Sequence, residues 1–399
     1  MTGPLSGVRI VDFTANMSGP FGTMILGDQG ADVVKVEPVT GDIIRDIGMR
    51  ENGISAYFAN LNRSKRSIAL DLSDDNCAPV VKALLDWADV VVHNFRPGVE
   101  AKLGLDAQTV RRDRPRLIYV AINGFGDTGP YGGLPAYDHV VQALSGFAAV
   151  QESDGEPGLI RNGIVDKVTG LYAAQAITAA LLQRTSTGRG TELEVRMLGA
   201  ATAFLWPDGM MDHTMAVPKN PEPPVARTFR LTRTSDGHLT YVLVTAARLK
   251  RLATELGVEN AEALPDTGAG RGGGPILKLA AQRFSTMTTA DAVEQLLSWG
   301  IPAAPVVSLD ELAEHPQIRA GGHVDGADHP VLGRIQQANP AVPFHGERAA
   351  TLRLAPTLGE HTAEILRDLG FSETDVENLC HTGGVATKAR RAKSGPEHR

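Results

Sequence analysis

Short runs of valine and isoleucine alternate with longer, more helical segments through roughly the first half of the chain. The runs predict strands and the intervening segments predict helices: strands at 8–13, 32–37, 67–72, 89–93, 116–122 and 191–197, and helices at 21–30, 79–88, 137–150 and 166–183. Short apolar strands that alternate with helices are typical of a parallel sheet covered by helices on both faces. This part of the chain therefore predicts a doubly wound α/β domain with its ligand crevice at the carboxyl ends of the strands.

The pattern changes at a proline-rich segment, 218–224, which predicts a stiff linker. The elements predicted after it are short and lack the regular alternation of strand and helix. They are a β-hairpin from 228–234 and 238–244, a glycine-rich loop at 268–275, an amphipathic helix at 290–299 and a strand at 303–309. They predict a smaller α+β domain. A last helix is predicted at 358–370, with Gly370 just after its C-cap, and a frayed tail at 386–399.

Composition narrows the function classes. The chain has 399 residues, 42% of them hydrophobic, and a formal net charge of −7, which is ordinary for a globular protein and gives no support for a nucleic-acid partner. It has two cysteines, too few for a disulfide framework, and no uninterrupted apolar run of membrane-spanning length. We expect a cytoplasmic protein without a signal peptide, a membrane partner or a metal site, since the histidines show no ligand spacing.

Asp166 is the most informative acidic residue, because it lies between a short apolar run and a long helical pattern rich in alanine and leucine. Two interpretations are open. Asp166 could be an N-cap that accepts hydrogen bonds from the first amides of the helix. It could also be a carboxylate nucleophile that forms a covalent acyl intermediate.

Gly124-Phe125-Gly126-Asp127-Thr128-Gly129 matches the dinucleotide-binding fingerprint and follows a predicted strand. The fingerprint requires a helix to open there, so that its N-terminus meets the pyrophosphate. Pro130-Tyr131-Gly132-Gly133 follows instead and predicts a loop. A nicotinamide oxidoreductase is therefore a weak alternative.

Asn94, Phe95 and Arg96 follow the strand at 89–93, where a doubly wound domain places its ligand. Arginine binds phosphate, phenylalanine stacks on a base, and asparagine hydrogen-bonds. The trio thus suits an anionic ligand with a planar ring, and Lys102 and the basic run 63–66 could add positive charge. The alternative is an ordinary loop beside a solvated basic cluster.

Several segments together resemble the family III CoA-transferases, the formyl-CoA transferase and carnitine CoA-transferase group. They are 5–14, 30–38, 60–68, 94–99, Tyr137-Asp138 with 142–146, and 358–362. The resemblance runs from residue 5 to about residue 385. It implies a large Rossmann-like domain formed by both chain ends, 1–215 and 330–399, and a linker and small α+β domain at 216–329. It also implies a homodimer of two interlocked rings.

The resemblance further implies the chemistry of the site. The nucleophilic aspartate of the family falls on Asp166. We expect Tyr137 to be a second catalytic residue that donates a hydrogen bond or lines the acyl pocket beside Asp166. CoA-binding positions fall on Asn94, Phe95 and Lys102, and we expect further contacts at Asn16, Leu70 and Arg96. CoA and acyl-CoA are then substrates rather than a permanently bound cofactor, and the other partner is a small carboxylic acid.

The chain departs from the family pattern at some positions. Met17 replaces an amide side chain of formyl-CoA transferase, and Pro38 replaces an arginine that holds CoA there. Acyl-CoA racemases share the fold and have a histidine where this chain has Tyr137, and their small-domain glutamate is missing from 244–247. Without an imidazole, two-base proton transfer lacks a group of suitable pKa. We therefore expect a CoA-transferase, with a racemase or a non-catalytic CoA-binding protein as alternatives.

Overall fold

The computed structural model describes residues 3–216, 228–264, 273–344 and 352–387. The predicted linker at 218–224, residues 268–272 of the glycine-rich loop, and the tail from 388 onward lie outside the described residues. The chain divides into two compact units, the first from Met1–Phe204 with Gly322–Arg399 and the second from Leu205–Gly321.

The described strands are short and most are buried. They are β1 (Arg9–Asp12), β2 (Asp32–Glu37), β3 (Arg50–Glu51), β4 (Ile54–Ser55), β5 (Lys65–Leu70), β6 (Val90–His93), β7 (Ile118–Asn123), β8 (Glu192–Arg196), β9 (Thr232–Arg233), β10 (His238–Tyr241), β11 (Ala303–Pro305), β12 (Val324–His329), β13 (Gly333–Ala338) and β14 (Val385–Ala386).

The described helices range from single turns to a long helix of 24 residues, α8. They are α1 (Ser18–Asp28), α2 (Ala56–Asn62), α3 (Ala78–Trp87), α4 (Val99–Lys102), α5 (Ala107–Arg111), α6 (Asp138–Ser145), α7 (Phe147–Val150), α8 (Ile164–Thr187), α9 (Met197–Gly209), α10 (Met211–Thr214), α11 (Ala246–Glu255), α12 (Gly274–Phe284), α13 (Thr289–Ser298), α14 (Pro316–Ala320), α15 (Thr362–Asp368) and α16 (Glu373–Thr382).

The first unit is built on a seven-stranded sheet in the order β14-β5-β2-β1-β6-β7-β8. All neighbouring pairs are parallel except β14 and β5, which are antiparallel at one edge. The chain runs outward from β1 through β2 to β5 and then returns to β6 on the other side of β1. The predicted parallel α/β sheet is confirmed, and its strand order reverses between β1 and β6.

The two faces of this sheet carry separate apolar cores. Val11 and Val34 face one core, which α3, α15 and α16 cover, whereas their neighbours Ile10 and Val33 face the other, which α1 and α8 cover. Alternate residues of a strand point to opposite faces, so a sheet that is covered on both sides needs apolar residues at every position. This is why the strands read as continuous valine and isoleucine runs.

The second unit has its own small sheet and core. Strands β9, β10 and β11 form an antiparallel sheet, with His238 paired to Arg233 as the predicted hairpin requires. The strands are shorter than predicted, and α11, α12 and α13 pack on them around buried Leu252, Phe284 and Leu296.

The basic run at 63–66 was expected to be solvated or to bind phosphate, and both interpretations are wrong. Lys65 and Arg66 begin β5, and the described side chains of this run are buried and paired with acids. Arg63 pairs with Asp28 at 2.7 Å, Lys65 with Asp12 at 3.0 Å, and Arg66 with Asp32 at 2.7 Å, as well as with Glu364 and Asp368. Each charge has an acidic partner that offsets part of its desolvation, and the run lies at the amino end of the strand, away from the crevice.

Candidate active site

The crevice lies where the strand order reverses, at the carboxyl ends of β1 and β6. The segment after β6 meets the loop after β1 there, because the Asn94 side chain accepts a hydrogen bond from the Ala15 N–H at 2.9 Å and donates one to the Ala15 carbonyl at 2.8 Å. A crevice at such a switch point is the usual ligand site of doubly wound sheets.

Buried charged side chains also fix the loop after β1 in place. The Lys35 ammonium donates to the Thr14 carbonyl at 2.8 Å and pairs with Asp42 at 3.0 Å, with both charged side chains buried. Asp42 in turn accepts from the Asn16 N–H at 3.2 Å. Asn16 has φ of +69°, a left-handed conformation that asparagine tolerates better than most residues. These bonds set the path of the chain into α1.

A cavity of about 980 Å³ opens at this crevice, and its walls lie entirely within the first unit. It gathers most of the residues that the sequence predicts for the site: Asp166, Tyr137, Asn94, Phe95, Arg96 and Asn16. Met17 and the loop from Gly124 to Gly126 also line it. That loop leads to no helix before α6, as predicted, so the glycine fingerprint is confirmed as a loop.

A second cavity of about 500 Å³ lies along the carboxyl ends of β1, β2, β5 and β6. Leu70 and Pro38 line it, and it shares the Asn94 and Phe95 wall with the first cavity. Lys102 lines neither of these two cavities and is exposed at the end of α4, although the next residue, Leu103, lines the second.

Asp166 is the third residue of α8, and the N-cap is Gly163, which has no side chain to cap the helix. The N-cap interpretation of Asp166 is therefore wrong. The Asp166 N–H donates instead to Oδ2 of Asp138 at 3.0 Å, and Gln142 donates to the other carboxylate oxygen of Asp138. An acid on α6 thus satisfies one of the open amides at the start of α8.

The Asp166 carboxylate is half-buried against the cavity wall. Burial, and then the negative charge of Asp138, raise its pKa from 3.8 to about 6, although a hydrogen bond from Ser18 and the charge of Lys167 act in the opposite direction. Removal from water disfavours the charged form of an acid, and a nearby like charge adds to the effect. A carboxylate with such a pKa is still mostly ionised at neutral pH but is poorly solvated, which favours nucleophilic attack.

Comparison with known proteins decides the family. The CoA-transferase family III model matches residues 5–362. Mouse succinyl-CoA:glutarate CoA-transferase is 33% identical in an alignment 408 positions long, gaps included, that covers 96% of this chain and 90% of the relative. Formyl-CoA:oxalate CoA-transferase of Rhodopseudomonas palustris is 33% identical in an alignment of 433 positions that covers 98% of this chain and 100% of the relative.

The chain belongs to CoA-transferase family III. It is an enzyme that moves CoA between an acyl-CoA thioester and a carboxylic acid, so the predicted transferase is confirmed. Among solved structures, a CaiB/BaiF family protein from Brucella suis matches with a TM-score of 0.80 and 29% identity, covering 92% of this chain and 100% of that one.

Within this family III enzyme, two residues near Asp166 are not among those that the sequence predicts. Ser18 and Tyr57 line the cavity, and burial, followed by the charge of Asp166, raises the pKa of Tyr57. The contact between Asp138 and the Asp166 amide was also not foreseen. No local signal marks Ser18 or Tyr57, because both come to Asp166 from helices far away in the sequence.

The described residues contain no group of three or more histidine, cysteine or acidic side chains that could hold a metal ion. Within the same residues, no helix is both long enough and apolar enough to cross a membrane.

Proposed function

We propose that Asp166 is the nucleophile with which this enzyme moves CoA from an acyl-CoA to a free carboxylic acid. The observation that carries the proposal is the raised pKa of a half-buried carboxylate on the wall of the large cavity, whose backbone N–H Asp138 holds in place. The carboxylate is ionised at neutral pH and has few competing polar contacts.

The proposed reaction has four attacks that balance in atoms and charge. Asp166 attacks the donor thioester carbonyl, which forms an acyl–aspartyl anhydride and expels the CoA thiolate. The thiolate attacks the Asp166 carbonyl carbon, which forms an enzyme–CoA thioester and releases the donor acid. The acceptor carboxylate attacks that thioester, forming a second anhydride and again releasing thiolate. The thiolate then attacks the acceptor acyl carbon and regenerates the Asp166 carboxylate.

We place CoA along the edge of the sheet that both cavities share. Asn94 and Phe95 form a wall common to the two cavities, so a long ligand could extend its thioester toward Asp166 and its other end over Leu70. Arg96 lines the large cavity, and no hydrogen bond or ion pair engages its guanidinium within the described residues. It supplies positive charge for a CoA phosphate, since arginine binds phosphate in a bidentate manner.

The acceptor is proposed to be a small carboxylic acid. The names of the two relatives given above pair an acyl-CoA with glutarate or oxalate, and both of these acids are dicarboxylic. Arg161 lines the same cavity as Asp166, so the cavity offers a cation to an acceptor with an extra anionic group. Dicarboxylic acids are therefore the first acceptors to test.

We also propose that the enzyme works as an interlocked homodimer, with a large domain formed by both chain ends. Apolar side chains on the long helix support an oligomer: Leu171 is 51% exposed and Leu182 is 72% exposed, and Val140 and Leu144 on α6 are also exposed. Large apolar side chains grouped on exposed helix faces are typical of a surface that another chain covers.

The test is capture of the covalent intermediate. Wild-type enzyme incubated with acyl-CoA and hydroxylamine should acquire a hydroxamate on the peptide that carries Asp166, detected by mass spectrometry. Asp166→Asn and Asp166→Ala should give neither the adduct nor CoA transfer, while CoA binding survives. Asp113→Asn is the matched control, because Asp113 is exposed on the loop before β7, at the far end of that strand from the cavity. Full transfer activity in Asp166→Ala would refute the nucleophile.

A further inference from the structure

Helices α1 and α8 approach each other closely at two glycines. A Cβ built on Gly22 would lie 2.8 Å from the Gly170 carbonyl oxygen, and one built on Gly170 would lie 2.6 Å from the Ser18 carbonyl oxygen. Such distances exclude any side chain, so the crossing depends on glycine at both positions.

Ser18 and Asp166 lie one helical turn before the two glycines, toward the N-terminal end of each helix. Ser18 precedes Gly22 by four residues on α1, and Asp166 precedes Gly170 by four residues on α8. Residues four apart lie on the same face of a helix. The close contact therefore brings Ser18 near Asp166, where hydrogen bonding from the Ser18 side chain lowers the pKa of the Asp166 carboxyl. Ser18 is only 4% exposed, yet it lines the cavity wall, so water competes little for this bond.

We propose that the Ser18 hydroxyl is the oxyanion donor for the two steps in which the carbonyl carbon of Asp166 is itself attacked. The proposal rests on Asp166 as the nucleophile and assigns it a partner. A hydroxyl that hydrogen-bonds with the carboxylate of the resting enzyme lies beside the oxygen that becomes the carbonyl of the anhydride or of the thioester.

The role follows from where charge develops. When the CoA thiolate attacks the anhydride, the new S–C bond pushes electrons onto the Asp166 carbonyl oxygen, and collapse then breaks the C–O bond to the donor acyl group. When the acceptor carboxylate attacks the enzyme–CoA thioester, the same oxygen takes the charge before the C–S bond breaks. A donor already aimed at that oxygen stabilises both tetrahedral states without reorganisation.

The other two attacks differ. When Asp166 attacks the donor thioester, and when thiolate attacks the acceptor acyl carbon at the end, the oxyanion forms on the substrate carbonyl and not on Asp166. Ser18 does not touch those oxygens through the contact described above. Loss of the hydroxyl should therefore slow the two attacks on the Asp166 carbonyl and leave the rates of the other two attacks nearly unchanged. A general structural role of Ser18 would slow all four.

The experiment compares Ser18→Ala, Ser18→Thr and wild type at pH 8, where Asp166 stays ionised in all three, without any acceptor acid. Donor-acyl hydroxamate formed in hydroxylamine, with the Asp166→Asn background subtracted, reports the first attack. The burst of free donor acid measured by rapid quench reports the second. We expect Ser18→Ala to form hydroxamate within a few-fold of the wild-type rate and to release donor acid about 100-fold more slowly.

Two further variants complete the design. Ser18→Thr keeps the hydroxyl and should recover most of the lost rate. Ser186→Ala removes an exposed hydroxyl at the far end of α8, which bonds only within its own helix, and should behave as wild type. In addition, Ser18→Ala should move the acid limb of the pH–rate profile to higher pH, because the hydroxyl bond lowers the pKa of Asp166.

Equal slowing of both steps, or no slowing of either, would overturn the assignment of Ser18. That outcome is separate from failure of the proposed nucleophile, which would show as activity or an adduct in Asp166→Asn. If the Ser18→Ala protein does not fold, it loses both steps, and Ser18→Thr then tests the role of the hydroxyl. The proposal is contradicted if Ser18→Thr forms hydroxamate at the wild-type rate but does not release donor acid.

Discussion

The backbone N–H of Asp166 donates a hydrogen bond to the Asp138 carboxylate at 3.0 Å, so one acid holds another in place. Gly163 cannot cap α8 through a side chain, and Asp138 on α6 takes over part of that function. The Asp138 carboxylate therefore has two effects on Asp166: it orients the Asp166 backbone, and its negative charge raises the pKa of the Asp166 carboxyl. Asp138 is thus a positioning residue for the proposed nucleophile.

Asp138→Asn should move the acid limb of the pH–rate profile to lower pH. Loss of the negative charge removes the second largest influence that raises the pKa of Asp166, so Asp166 stays ionised in more acidic solution. An asparagine oxygen can still accept from the Asp166 N–H, which preserves most of the geometry. The check is the pH dependence of kcat/KM between pH 4.5 and 8, against Asp113→Asn. An unchanged or upward-shifted limb would show that the two carboxylates are not coupled.

Asp166→Asn should be more stable than wild type at pH 7.5. Because the pKa of Asp166 in the folded state, about 6, lies above its unfolded value of 3.8, ionisation of this carboxylate destabilises the fold. The destabilisation is complete above about pH 6 and vanishes as the pH falls toward the unfolded value. We expect a gain of about 1–3 kcal/mol in the free energy of unfolding at pH 7.5, and nearly none at pH 4. Thermal or urea unfolding at both pH values measures it, and a gain of equal size at pH 4 would contradict the explanation.

Arg96→Ala should raise the KM for acyl-CoA about tenfold or more, because loss of a charge-assisted phosphate contact costs roughly 1.5–3 kcal/mol. Lys102→Ala tests the family resemblance separately, since Lys102 lines neither cavity and the resemblance alone predicts a comparable loss. Arg112→Ala, an exposed arginine after α5, is the matched control for loss of surface charge. If Arg96→Ala binds CoA as wild type does, Arg96 is a solvated loop residue.

The enzyme should remain dimeric at nanomolar concentration, because interlocked chains cannot separate without unfolding. Analytical ultracentrifugation or mass photometry across a dilution series measures this directly. Leu182→Lys tests the apolar face of α8, and it should lower the yield of dimer or its unfolding temperature rather than produce a stable monomer. A folded monomer upon dilution of the wild type would exclude interlocked rings.

Tyr137→Phe should lower transfer activity moderately and leave the acyl–enzyme able to form. Tyr137 is 52% exposed in the cavity beside Asp166, so its phenol can hydrogen-bond to the acyl group. A neutral phenol is a poor base for a thioester α-proton, because it has no imidazole-like nitrogen to accept the proton. Wild-type enzyme should therefore not exchange the α-proton of a chiral 2-methylacyl-CoA with deuterium. Deuterium uptake observed by NMR without an acceptor acid would favour racemase chemistry.

The secondary structure of the first unit could be predicted because its signals are local. Valine-rich segments such as 32–37 become strands at the predicted bounds, since a sheet buried on both faces accepts little else. Predictions were less accurate for the ends of elements, where contacts between residues distant in sequence decide which residue begins the strand or helix. Strand β5 begins at Lys65 instead of Ser67, and the helix predicted from Leu358 begins at Thr362, as α15. Helix α16 was not predicted. Gly370, predicted just after the C-cap of α15, has φ of +90°, and the C-cap is Leu369.

The sequence by itself determined the family, the parallel α/β sheet and the set of candidate residues around Asp166. Motifs and the spacing of apolar residues are properties of the sequence and need no tertiary structure to be recognised. Tertiary structure decided how those residues act. It buried the basic run at 63–66 in ion pairs, made Asp138 the acceptor for the Asp166 amide, and brought Ser18 to the carboxylate through the glycine crossing of α1 and α8. These relationships join positions far apart in sequence, and the desolvation that raises the pKa of Asp166 exists only once the helices have packed.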